Sequence, residues 1–274
     1  MSTLTAAMAR FAEEPARQLT EPRAPEGRVL RDEWCLLLAA TRTQSHLTCV
    51  RTTAAKLDSL IADVRQVVKQ HGYTGCTWMV GPSCEPADLR DLLLARGFIR
   101  AVEPPWEPEL EAMALARPPV PSRAGVEARL VRDYQEYRQA LHIAIRAFDL
   151  PPDSAADWLA AAPELWKQQD GIDRMTLIAA IDGQPVGFAW AAAGRDGLLL
   201  CGSGVLPEAR GRGAYHALVD TRWKIAVQLG KPLLVIHAGA MSRPILERCH
   251  FERVCRLDVL LDPQVRPAGA SNDR

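Results

Sequence analysis

Apolar positions along the chain fall into short alternating runs and helical stripes in a repeating order. Glu33 to Ala40 and His46 to Arg51 read as two strands, after a leader over residues 1–27 rich in Ala, Glu, Arg and Pro. The leader is expected to be flexible, with a short helix over Thr5 to Arg17 as its one candidate element. Leu57, Leu60, Ile61, Val64, Val67, Val68 and His71 share one face of a helix, which Gly72 ends. Cys76 to Val80 reads as a strand, Pro86 to Arg96 as a helix, and Gly97-Phe98 and Glu109 to Leu115 as strands. Three prolines in the four positions Pro118 to Pro121 then preclude helix and predict an extended linker.

The pattern restarts with a strand at Val126 to Leu130. Helices are predicted from Asp133 to Phe148, stopped by Pro151-Pro152, and from Ala155 to Lys167. Met175 to Ile181 and Pro185 to Ala192 flank Asp182-Gly183, a hairpin signal. Gly197 to Val205 is a further strand, and Ala214, Leu218, Ile225 and Leu229 recur at helix spacing. Leu233 to Ala238 is a strand, Arg243 to Arg248 a short helix, and Phe251 to Leu261 a final strand. Beyond Pro263 the chain turns polar and is expected to be disordered.

The two halves repeat. Gln70-His71-Gly72 matches Gln228-Leu229-Gly230, Leu60-Ile61 matches Leu218-Val219, and Arg90, Leu93 and Phe98 match Arg243, Leu246 and Phe251. This predicts two copies of one unit, over residues 28–118 and 119–263, with a flexible tail at 264–274.

Composition narrows the function. The 274 residues carry 33 basic and 33 acidic side chains, so neither nucleic acid nor an anionic membrane has electrostatic support. No apolar run approaches the ~20 residues of a membrane helix, and no signal-peptide layout opens the chain. The seven cysteines have no C-x-x-C spacing, which argues against a disulfide framework or zinc site and for a reducing cytoplasm. No metal is expected, because no H-x-x-x-H or comparable ligand set occurs.

The chemistry concentrates at Gly204, Val205, Leu206, Pro207, Arg210, Gly211, Arg212, Gly213, Ala214 and Tyr215. A buried strand, a proline stop, a glycine loop and a helix start make an anion cradle. The glycines admit a phosphate close to the backbone, and the first-turn amides point at it. Arg210 or Arg212 is expected to assist. The P-loop pattern fails because no Lys-Ser or Lys-Thr follows the glycines. The dinucleotide pattern fails because His216 stands where a third glycine belongs. A plain turn at a helix start is the bland alternative.

The segment resembles the acyl-CoA loop of the GNAT acetyltransferases, Q/R-x-x-G-x-G/A, with Arg210, Gly213 and Tyr215 at its fixed places. Tyr215 departs from the usual small residue. The resemblance implies an α/β fold of mixed α+β type, two GNAT-like units in tandem. Each would be a twisted, mostly antiparallel sheet with a splayed strand pair, flanked by helices. It places Thr52, Ala55 and Leu57 of the first copy where the second has its loop, so that copy lacks a cradle and would wall the cleft.

It further implies acetyl-CoA, or another acyl-CoA, as cosubstrate and direct transfer to the amine of a small molecule or peptide. The protein would be a monomer or homodimer. A backbone amide near Val205 would bind the oxyanion. The family's proton-donating tyrosine falls on Leu246, its Asn on Gly239 and its Gly on His250, so Ser242 or Tyr215 would have to replace the acid. His237 is the candidate base, because imidazole titrates near neutrality, with a packed core histidine as the alternative. Ser203 and Cys201 would lie beside the reaction centre, and His216 near phosphate or in solvent. His142 and Asp149 would belong to the segment over the acceptor, with Glu208 in solvent. Trp158, Trp166 and Trp190 are either core or acceptor wall. A catalytically silent acyl-CoA-binding protein is the competing function, and a different acyl donor a third.

Overall fold

The computed structural model describes residues 4–19, 29–39, 44–101, 107–169 and 173–265. In chain order the elements are α1 (Ala6–Glu13), β1 (Val29–Asp32), β2 (Leu36–Ala39), β3 (Gln44–Thr48), α2 (Leu57–Gln70), β4 (Gly75–Val80), α3 (Leu89–Leu94), β5 (Ile99–Arg100) and β6 (Glu109–Leu115). There follow β7 (Val126–Leu130), α4 (Tyr134–Ala147), α5 (Pro152–Trp166), β8 (Met175–Ile181), β9 (Gln184–Ala193) and β10 (Leu198–Val205). The last are α6 (Ala214–Gln228), β11 (Leu234–Ala238), α7 (Arg243–Arg248) and β12 (Glu252–Leu261). The expected disorder of the tail lies, from residue 266 on, outside the described residues.

The chain forms two compact units. The larger holds Met1–Thr20, Met113–Ile236 and Pro244–Glu252, and the smaller Glu21–Ala112, His237–Arg243 and Arg253–Arg274. The expected boundary near residue 118 is therefore crossed more than once.

The smaller unit is a mixed sheet in the order β1-β2-β3-β4-β12, with β5 also on β12. Its β3-α2-β4 crossover is parallel, from Gln44↔Gly75 to Leu47↔Trp78. Leu57, Leu60, Val64 and Val68 of α2 are buried with Leu47 and Trp78, as the 3.6-residue spacing requires. β12, which the sequence assigns to the second copy, pairs here with β4 from Asp258↔Val80 to Leu261↔Thr77. Leu260 enters this core, and buried Asp262 accepts from Arg65 Nε at 2.7 Å and Nη2 at 3.0 Å. That pair anchors the end of β12 to α2.

The larger unit is a mixed sheet in the order β11-β10-β9-β8-β7. The β8–β9 hairpin turns at Asp182-Gly183, where φ is +51° and +78°. Contrary to expectation, the start of the leader is packed. Thr5 caps α1 by accepting from the Met8 amide at 3.3 Å, and Phe11 is 0% exposed. Phe11 lies where a Cβ on Gly194 or Gly197 would stand, 2.8 Å and 2.9 Å from its ring, so the β9–β10 turn is shaped around it. Leu19 bridges Gly194, and the Arg195 amide donates to Gln18 O at 2.9 Å. One aromatic ring supplied this docking, too weak a periodic signal to read from sequence.

Candidate active site

Strand β10 is the first part of the site. It is joined to β11 only at Leu198↔Leu234 and Leu199↔Val235, so its remaining length leaves one edge open. On its other edge it pairs with β9, with a register shift between Leu200 and Gly202 that leaves Cys201 as the extra residue of a bulge. Gly202 has φ +152° there, a value suited to glycine. The Leu206 amide donates to Val186 O at 2.8 Å. Alternation along an antiparallel strand then turns Gly204 and Gly202 towards β9, and the Ser203 and Val205 amides towards the open edge. A Cβ on Gly204 would lie 2.8 Å from the Ala147 side chain and 2.8 Å from Phe188, so glycine lets α4 press against β10.

The loop comes next. Pro207–Ala209 make one 3₁₀ turn, in which the Ala209 amide donates to Leu206 O at 2.9 Å and the Arg210 amide to Pro207 O at 3.3 Å. Gly211 and Gly213 have φ +75° and +99°. Gly213 is the N-cap of α6 without a side-chain cap, and the first amide bonded back into the helix is that of Ala217, on Gly213 O at 3.1 Å. Among the described residues, the amides of Gly211 through His216 have no hydrogen-bond partner. The helix dipole adds positive potential at the same place.

Side chains complete the potential. Arg123, from the proline-rich segment, would stand 3.6 Å from a Cβ on Gly213. Arg123 and Arg248 both lie within electrostatic reach of His216, whose imidazole is held below its ordinary value first by burial and then by these cations. Exposed Arg212 pairs loosely with Asp182, at 3.6 Å. Arg210 differs from expectation: its Nε donates to Val205 O and its Nη2 to Ala147 O, each at 3.3 Å. Its guanidinium braces the loop against β10 and α4. Glu208, expected in solvent, pairs at the surface with Arg146 at 2.8 Å.

Tyr215 turns its hydroxyl to the side chain of Ser203. Burial raises the phenol, which Arg222 and Ser203 only partly counter, so it stays protonated at neutral pH. Arg222, which the sequence reading passed over, is fully buried on α6. Position 222 is four residues after Leu218, on the row of apolar positions, so a charge there was the available signal. Cys201 is exposed yet crowded by protein, and desolvation lifts its thiol to about 11. Buried Cys249 approaches His216 Nε2 at 4.0 Å and is likewise lifted to about 11 by burial.

The other expected catalytic side chains are not brought together with the loop within one unit. His237 and Ser242 belong to the smaller unit. His237 is half-buried and within electrostatic reach of half-buried His46, whose imidazole is depressed to about 4, first by desolvation and second by His237. The Ser242 hydroxyl donates to Gly239 O at 3.3 Å, inside the turn that opens α7. Leu246 is fully buried and carries no proton donor.

The tryptophans divide. Trp166 lies 5.5 Å from Tyr137 in the core between α4 and α5. Trp158 and Trp190, 5.6 Å apart, join Phe188 and half-exposed Phe148 in an edge-on cluster. In the first copy the cradle is closed. The Thr52 amide donates to Glu85 O at 3.3 Å, the Glu85 amide donates to Val50 O at 3.0 Å, and Leu57 is buried. No cluster of metal-ligating side chains occurs among the described residues, and no helix among them is long and apolar enough to cross a membrane.

Residues 137–251 match the Acetyltransferase (GNAT) family, a stretch that spans the strand, loop and helix just described. Solved structures share the fold over most of the chain. A GCN5-related N-acetyltransferase from Kribbella flavida aligns with TM-score 0.70 and 20% identity, covering 95% of this chain and 97% of its own. One from Sphaerobacter thermophilus gives TM-score 0.61 and 19% identity, over 85% and 76%. A tandem GNAT protein from the clavulanic acid biosynthesis pathway gives 0.60 and 15%, over 85% and 79%. These show that the fold is the tandem GNAT one. No curated protein matches the sequence.

Proposed function

We propose that the protein is an acetyl-CoA-dependent N-acetyltransferase that passes acetyl directly to the amine of a small molecule or peptide, with the chemistry in the larger unit. The observation that carries this reading is the uncapped α6 start, whose amides from Gly211 to His216 are unengaged beside the open edge of β10. The residues fit coenzyme A. Loop amides with Arg123, Arg212 and Arg248 would hold its phosphates, and the open edge of β10 would take the pantetheine arm by backbone hydrogen bonds. The Ser203 and Val205 amides would receive the carbonyl oxygen of the thioester, where negative charge grows during amine attack. CoA supplies the activated acyl group. The chain orients it and keeps donors fixed on the oxyanion.

A silent acyl-CoA-binding protein is the second reading, favoured by buried Leu246 where a tyrosine is expected. Thiol release from acetyl-CoA with a panel of amines separates the two. Turnover on any amine supports the enzyme, and tight CoA binding with none supports the silent protein. The cytoplasm is the proposed location, since no disulfide joins any of the seven cysteines. His237→Ala tests that residue. A proton acceptor there requires kcat to fall with CoA affinity unchanged, whereas a packed histidine changes only stability.

A further inference from the structure

Arg222 is a fully buried guanidinium, and among the described residues no carboxylate pairs with it. Its Nε donates to Leu218 O at 3.0 Å and its Nη1 to Trp190 O at 3.4 Å, while Nη2 is buried without a partner. The groups that share its field are Tyr215, Cys201 and Cys249, all uncharged at neutral pH. A buried cation without an anion is strongly unfavourable, and an apolar residue of similar volume is commonly tolerated better. The charge therefore opposes stability at a position whose helical row asks for an apolar residue.

Its surroundings say what would balance it. Cys201, the bulged residue of β10, is exposed and within electrostatic reach of both Arg222 and Arg174. The Tyr215 and Ser203 hydroxyls are hydrogen-bonded to each other, and either can turn its proton to an incoming oxygen. Arg222, held to Trp190 O opposite Gly202, thus interacts electrostatically with Tyr215 next to the stretch of β10 that carries Ser203. That donor set suits a small oxyanion.

We propose that Arg222, with Tyr215 and Ser203, forms a subsite for a carboxylate carried by one of the two reactants, at the far end of the acyl group or on the acceptor. The inference rests on the acyl-CoA reading of the loop and names the charge class of its substrate. The test uses the full chain and its Arg222→Met and Arg222→Lys variants. Calorimetry compares CoA, butyryl-CoA and succinyl-CoA, whose acyl groups have the same carbon count and differ in the terminal charge. With the carboxylate on the donor, succinyl-CoA binds about tenfold or more tighter than butyryl-CoA, the loss of one charge-assisted hydrogen bond being of that size. Arg222→Met brings the ratio to about one and Arg222→Lys keeps part of it. With the carboxylate on the acceptor, the two thioesters bind alike. Amino acids then exceed their amides in kcat/KM by a similar factor, which Arg222→Met abolishes.

Arg222→Met is also expected to raise the melting temperature, so lost discrimination cannot be blamed on unfolding. Absence of both preferences, or a preference that survives Arg222→Met, overturns the subsite alone. Failure of CoA itself to bind the wild type ends the acyl-CoA reading and the subsite with it.

Discussion

Gly213 meets two demands at once: a φ of +99° that side chains resist, and a place next to the first amides of α6 where a Cβ would already touch the Arg123 side chain at 3.6 Å. Gly213→Asp puts a carboxylate there and strains the cap. The variant is expected to lose about 3 kcal/mol of CoA binding, roughly 100-fold, measurable by calorimetry on protein shown to be folded. The Gly213 position was legible because glycine at a helix start has few physical explanations. Arg210 was legible in its place but not in its contacts, for an equally physical reason. An arginine beside glycines looks like a phosphate ligand, but only coordinates reveal that Val205 O and Ala147 O already occupy it. Arg222 was hidden because a long side chain counted as polar conceals that its whole length is inside.

Among the elements, α1 shows what periodicity misses. Its contribution is concentrated in Phe11 under the β9–β10 turn, which pattern reading ranks as one apolar residue in a polar leader. Phe11→Ala is expected to destabilise the larger unit by about 3–5 kcal/mol in denaturant titrations, because the two glycines cannot fill the cavity. Most helices and strands from α2 onward were legible to within one or two residues, but α3 starts three residues later and α5 three residues earlier than expected, and β5 falls at Ile99–Arg100 instead of Gly97-Phe98. β12 was legible as a strand but not by partner. A strand's alternation names its buried face and leaves open which neighbour it joins. Removing its anchor with Asp262→Ala is expected to destabilise the smaller unit by about 2 kcal/mol, the worth of hydrogen bonds to a charged group. Denaturant unfolding followed by tryptophan fluorescence measures it.

At the scale of the molecule, the sequence repeat corresponds to structure. β3-α2-β4 and β10-α6-β11 are both parallel crossovers, yet four residue pairs hold β3 to β4 and two hold β10 to β11. Glu85 closes the loop of one copy, and in the other the corresponding loop is left open. The units should also answer pH differently. In the smaller unit, burial holds His46 near 4, below the unfolded value of about 6.5, so the unfolded chain binds the proton first. Its stability is full above about pH 6.5 and falls as pH drops towards 4, and His46→Phe should flatten that slope. In the larger unit, hydrogen bonds from Arg129 and then Arg132 depress Glu136. Its contribution, about 1 kcal/mol after allowance for solvent screening, is present above the unfolded value of about 4.3. It is lost only in stronger acid. Unfolding curves collected from pH 7 to 3 resolve the two windows.

Whether the start of α6 holds the phosphates of coenzyme A is decided by paired titrations of CoA and pantetheine into the full chain. Pantetheine carries the thiol arm without the phosphates. CoA is expected to bind at least about 100-fold more tightly, through two or more charge-assisted hydrogen bonds, with the difference shrinking as salt rises. Equal affinity for the two ligands, or a CoA affinity unchanged in Gly213→Asp, would contradict it.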